Sequence, residues 1–125
     1  MTTTAASKQA LGAYGESVAA RHLVEEGLEV LERNWRSPGD PVGEIDLVCK
    51  DGDALVVCEV KTRTSDEGGT PHEAVDAEKL DRLQRLGVRW AAERGCTPPE
   101  MRVDLVAVLR PLRGAAVVEH VRGIG

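Results

Sequence analysis

The stretch from Gly43 to Lys61, GEIDLVCKDGDALVVCEVK, constrains the fold more than any other part of the chain. Two apolar runs, Ile45 to Cys49 and Ala54 to Val60, flank Asp51-Gly52, a dipeptide suited to a tight turn with positive φ, which is a β-hairpin signal. Side chains alternate along strands, so Glu44, Asp46 and Val48 share one face, as do Leu55, Val57, Glu59 and Lys61. With Asp51 and Gly52 as the loop, Lys50 pairs with Asp53, Val48 with Leu55, Asp46 with Val57 and Glu44 with Glu59. Asp46 and Glu59 are then diagonal neighbours, within reach of one shared ion. Two carboxylates about 5 Å apart at an effective dielectric near 20 repel by about 3 kcal/mol, a sizeable part of a small domain's stability. A hard divalent cation offsets such repulsion, and magnesium takes one or two carboxylates with waters and a phosphate. A solvated sheet face at Asp46, and a buried strand emerging at Glu59 and Lys61, account for the same residues without any ion.

The remaining elements follow from punctuation. Residues 1–6 have nothing to bury and are expected to be a disordered tail, leaving 7–125 as a single domain. A first helix is expected from Ser7 to Glu26, stopped by Gly27. Its wet face is Ser17, Arg21 and Glu25, while Glu16 falls with Gly12, Ala19, Ala20 and Leu23, where a helix lies close to a sheet. A flanking, partly exposed glutamate is the plainer account of Glu16. A first strand spans Leu28 to Arg36, and SPGDPV, 37–42, leads into the hairpin. Thr62 to Gly69 has the composition of a surface loop, with Arg63 placed to touch a phosphate.

Thr70-Pro71-His72-Glu73 reads as a capping box opening a helical stretch that breaks near Asp76 and continues to Arg94. Leu80, Leu83, Leu86 and Trp90 form its apolar stripe. Lys79, Arg82, Arg85 and Arg89 share an adjoining arc that suits a phosphate backbone or, bordered by Glu78, Asp81 and Glu93, a solvated face. Strands at Met101 to Leu109, with Asp104 in a structural role, and at Ala115 to Val121, on an edge, complete the order αβββαββ, an α/β domain with a mixed five-stranded sheet flanked by helices.

Composition narrows the function classes. Aromatics make up 2% of the chain, so the core is Leu, Val and Ala and base stacking is not the binding mode. A net charge of −5 excludes a protein that coats nucleic acid through bulk charge. Cys49, Cys58 and Cys96 form no C-x-x-C pair, fit a reducing cytoplasm and are expected to be small buried hydrophobes. No run of membrane length occurs. His22, His72 and His120 are scattered without ligand spacing.

Glu16 on the first helix, Gly43-Glu44-Ile45-Asp46 on the second strand and Glu59-Val60-Lys61 on the third resemble the PD-(D/E)XK restriction-endonuclease-like superfamily. More narrowly, GAYGESVAARHL, ERNWR, GEIDLV, EVKTR and AVDAEKLDRL look like the YraN family of small bacterial proteins, from about Leu11 to Val108. The enzymatic relatives this implies are archaeal Holliday junction resolvases. Ile45 stands where the superfamily commonly has proline. The resemblance implies a restriction-endonuclease-like core in which Glu16, Asp46, Glu59 and the Val60 carbonyl hold Mg2+ or Mn2+. It further implies that Lys61 acts beside the ion and that Arg63, Lys79 and Arg82 hold flanking phosphates. The activity implied is hydrolysis of a DNA phosphodiester, with branched or damaged DNA as candidate substrate and a homodimer with two sites as candidate assembly. A nuclease-fold DNA-binding module without activity and a protein-interaction subunit of a larger assembly stay open.

Overall fold

A computed structural model describes residues 5–40, 43–64 and 75–125. The order is α1 (Ala5–Glu25), β1 (Glu29–Arg36), β2 (Glu44–Asp51), β3 (Ala54–Thr64), α2 (Ala77–Glu93), β4 (Glu100–Arg110) and β5 (Val117–Val121). The five strands form one mixed sheet in sequence order, antiparallel except for the parallel β3–β4 pair, with β1 and β5 at the edges. This is the α/β architecture and the αβββαββ order expected from the sequence.

The helices cover opposite faces. Ala19, Ala20 and Leu23 of α1 pack on Leu47, Cys49, Val56, Cys58, Val106 and Val108. Leu83, Leu86 and Trp90 of α2 pack on Val48, Leu55, Val57 and Val103, with Leu80 partly buried beside them. Alternation along β2, β3 and β4 therefore feeds two apolar layers, as a sheet covered on both faces requires. The exposed face of α1 carries Ser17, Arg21 and Glu25.

Several local expectations are corrected. The β2–β3 ladder pairs Asp51 with Ala54, Lys50 with Leu55 and Val48 with Val57, so the loop residues are Gly52 and Asp53, one position later than the Asp51-Gly52 pair. Gly52 takes φ +59 at the first loop position, where a type II′ hairpin requires it. β3 runs on to Thr64, so residues 62–64 belong to a strand rather than a loop, because β4 supplies parallel partners as far as Arg110. The break near Asp76 is a helix start: the Asp76 carboxylate accepts the Lys79 backbone N–H at 2.8 Å as an N-cap. The capping box at Thr70–Glu73 lies outside the described residues. Helix α1 begins at Ala5, inside the expected tail. Cys49 and Cys58 are buried with their sulfurs 4.0 Å apart, but Cys96 is exposed, since it sits past the end of α2 with no layer above it. No helix among the described residues is long and apolar enough to cross a membrane.

Helix α1 approaches β3 closely at Gly15. A Cβ there would stand 2.8 Å from Thr62 Cβ and 2.9 Å from Thr62 Cγ2, and since Thr62 Cβ is fixed to its strand no rotation relieves the contact. Gly15→Ala is therefore expected to lower stability by about 1–3 kcal/mol despite alanine's better helix propensity, measurable by urea unfolding. A neutral or stabilising result would show that α1 shifts freely on the sheet.

Candidate functional site

The ends of β2 and β3 distant from the Gly52 turn form the polar region of the fold. Leu47 and Cys49 face α1, and Val48 faces α2, but Ile45 packs with Val48 on the α2 side, so the alternation breaks at Asp46. The β1–β2 register places Arg33 against Leu47 and Trp35 against Ile45, which sets Asn34 opposite Asp46. Asn34 has φ 51, the sole non-glycine positive φ among the described residues. The β2–β3 ladder ends at the pair of Leu47 with Cys58, so Asp46 and Glu59 are the first residues beyond it on their two strands. At this point the Asp46 side chain takes the place of a ladder partner: the Val60 N–H donates to its Oδ2 at 2.8 Å. In an extended strand a residue's N–H and C=O point to the same edge, so the Val60 carbonyl is directed toward β2 as well.

Asp46 and Glu59 line a cleft of about 250 Å³ together with Glu44, Lys79, Arg82, Leu83 and Leu86. Burial pushes the Asp46 carboxyl up from 3.8 to about 7, and the neighbouring Glu59 carboxylate adds to the rise; Glu16 and Glu44 contribute further, against the pull of the Val60 N–H. Lys79 Nζ donates to Glu59 Oε1 at 2.6 Å, in a pair where the Glu59 side chain is only 12% exposed. Arg36 Nη2, well exposed, lies 3.6 Å from Glu44 Oε2.

The expected site residues therefore divide. Asp46 and Glu59 come together. Glu16 follows Gly15 on α1, does not line the cleft, and acts on Asp46 through its field, ahead of Glu44. Among the described residues no group of three or more His, Cys, Asp or Glu side chains gathers closely enough to be a metal-binding cluster. Lys61 is exposed two residues beyond Glu59, and Arg63, half-buried, follows on the same side of β3 by alternation. Arg82 lines the cleft and also a second one of about 230 Å³ formed with Asp40, Glu78, Arg85, Leu86 and Arg89, where Arg89 donates to Ser37 Oγ. Glu44 was not singled out as a site residue by sequence reasoning, although its place in Gly43-Glu44-Ile45-Asp46 was the available signal. The ion pair of Lys79 with Glu59 had none, because it depends on how α2 crosses β3.

The oxygen donors suit a hard divalent cation. Two facing acids, one of them with a raised pKa, form a region of excess negative potential, and the Lys79 ammonium already sits on one of them as a cation.

The family model described as "Uncharacterised protein family UPF0102" matches residues 15–108. A UPF0102 protein of Nocardioides sp. is 61% identical over 127 residues, covering 100% of this chain and 100% of the relative. A UPF0102 protein of Beutenbergia cavernae is 58% identical over 119 residues, covering 95% of this chain and 98% of the relative. Among solved structures, Archaeoglobus fulgidus Hjc, a Holliday junction resolvase from an archaeal hyperthermophile, is similar at a TM-score of 0.46 and 20% identity, over 86% of this chain and 74% of that one.

Proposed function

Since the chain belongs to the UPF0102 (YraN) family, whose description assigns no activity, we propose on its own residues that it is a metal-dependent phosphodiesterase cleaving DNA. The observation that carries this reading is Asp46 beside Glu59 in one cleft, its carboxyl pushed up to about 7, with the cations Lys79 and Arg82 on the cleft wall. A site built of paired acids rimmed by bases matches a phosphate bridged to its protein by a cation.

Asp46, Glu59 and the Val60 carbonyl are the groups that would hold Mg2+ or Mn2+, with Glu16 adding negative potential from α1. When bound, such an ion lowers the pKa of water and polarises the scissile phosphate. The chain's own residues supply the rest. Lys61, a compact cation at the exposed end of β3, orients the attacking water or neutralises charge on the phosphorus oxygens. Arg63 and Arg82 hold flanking phosphates, which fixes the backbone without reading sequence. Lys79 is on Glu59 in this structure and serves phosphate only after leaving it.

Nicking of a branched DNA junction in Mg2+ is the test, with linear duplex and RNA alongside. Asp46→Ala and Lys61→Ala are each expected to reduce nicking at least about 100-fold with the fold intact by circular dichroism; nicking that survives either change removes the mechanism. A second reading, a DNA-binding module without catalysis, is favoured by the hold of Lys79 on Glu59. Salt-sensitive binding of the same junction with no Mg2+-dependent cleavage would select it.

A further inference from the structure

The Lys79–Glu59 pair joins α2 to β3, two of the three elements that frame the cleft. Lys79 lies in the first turn of α2, its backbone N–H held by the Asp76 N-cap, so its Cα is fixed and only the flexible four-carbon stem is free to redirect the ammonium. That ammonium sits 2.6 Å from Glu59 Oε1, with the lysine side chain 35% exposed. One helical turn on, Arg82 lines both this cleft and the arginine cleft beside it, and among the described residues no ion pair engages it. Lys79 and a divalent ion both require the Glu59 carboxylate, while a phosphate arriving at Arg82 offers the ammonium another anionic partner a short swing away.

We infer that Lys79 is an exchangeable counter-ion of Glu59, displaced by the divalent ion and then positioned on the incoming phosphate, so that metal and phosphate bind cooperatively through it. The inference rests on the reading that Glu59 holds the ion, and it makes Lys79 a positioning residue whose first partner is the protein itself. Its consequences are opposite in sign for the two ligands. Removing the ammonium frees Glu59 and tightens metal binding, but it removes the link by which phosphate improves that binding.

The experiment is calorimetric titration of the full chain with Mn2+, with and without inorganic phosphate, for wild type, Lys79→Met, Lys79→Arg and Arg82→Met. Lys79→Met keeps the aliphatic stem and is expected to bind Mn2+ about tenfold tighter than wild type, the equivalent of one charge-assisted contact. Lys79→Arg retains the cation and is expected to stay near wild type. Phosphate is expected to tighten Mn2+ binding several-fold in wild type and not in Lys79→Met. If wild type binds Mn2+ and Lys79→Met binds it equally or more weakly, the inference falls while the metal-site reading stands. If Arg82→Met tightens binding as much as Lys79→Met, the effect is the general field of the cleft and the specific exchange is overturned. If phosphate helps Lys79→Met as fully as wild type, the transfer to phosphate is overturned. Absence of Mn2+ binding by wild type at millimolar concentration overturns both the inference and the reading beneath it.

Discussion

Asp46→Asn is expected to raise the melting temperature at pH 8 and to leave it nearly unchanged at pH 4. In the folded chain the Asp46 carboxyl is pushed from 3.8 to about 7, first by burial and then by the facing Glu59. Below pH 4 the group carries its proton in both folded and unfolded states and contributes no pH dependence. Between pH 4 and pH 7 the unfolded chain has already lost that proton and the folded chain has not, so the native state binds more protons and stability falls as pH rises. Above pH 7 the full cost of the ionised carboxylate is present. The rise in pKa corresponds to about 2–4 kcal/mol once residual solvent contact is allowed for, or a melting shift on the order of 10 °C for a chain of this size. Asparagine keeps the shape, and its amide oxygen still accepts the Val60 N–H, so the variant loses the charge and little else. Calorimetric melting from pH 4 to pH 8 in a chelating buffer reads the difference directly. A gap between variant and wild type that does not change with pH would show that the cleft does not disfavour the Asp46 charge. Mg2+ supplies the converse arm: it is expected to stabilise wild type at pH 8 and not the asparagine variant.

The destabilised acid is also where the sequence was most and least informative. Asp46 and Glu59 were legible as facing carboxylates because an Asp-Gly turn and two alternating runs fix which side chains share a face. Their register was off by one turn position, since Asp51-Gly52 and Gly52-Asp53 are both acceptable loops and the choice rests on which residue takes φ +59. The two acids still share one cleft, just beyond the last ladder pair of the hairpin. The extension of β3 through Thr62, Arg63 and Thr64 was illegible because TRT is polar and loop-like, and only parallel pairing with β4 makes it a strand. Lys79 was visible as one of four bases on a helical arc, but its attachment to Glu59 depends on where α2 crosses the sheet, which no spacing within α2 encodes. Asn34 was legible only as part of a motif; its positive φ opposite Asp46 marks where both strands lose their alternation.

Asp104→Ala is expected to cost about 3–5 kcal/mol, because it breaks a buried, hydrogen-bonded charge cluster. Asp104 is fully buried on β4, and its two oxygens accept from four donors. Oδ1 takes Arg102 Nε at 3.0 Å and the Gly123 N–H at 2.9 Å, while Oδ2 takes Arg102 Nη2 at 3.3 Å and lies 2.8 Å from His120 Nε2. The other ring nitrogen of His120 lies 2.8 Å from Glu26 Oε1, so the imidazole bridges two carboxylates and ties the end of α1 to the edge of the sheet. Alanine removes every one of these acceptors at once, and the buried His120 ring is left facing a gap. The damage should spread in a defined direction. The hydrogen bond at Gly123 precedes two more, Val103 N–H to the Gly125 carbonyl at 2.7 Å and Ile124 N–H to the Val103 carbonyl at 2.8 Å, which place Ile124 around one cavity with Val75, Leu80 and Leu105. Leu80 follows Lys79 on α2. Hydrogen exchange in Asp104→Ala should therefore show lost protection in β5, at Ile124 and in the first turn of α2, with the β2–β3 hairpin keeping its own. Urea unfolding within 1 kcal/mol of wild type, or exchange that opens the hairpin first, would contradict the role assigned to Asp104. The same coupling predicts that loosening this acid, the ladder partner of Cys58 next to Glu59, weakens the Lys79–Glu59 contact without replacing either residue.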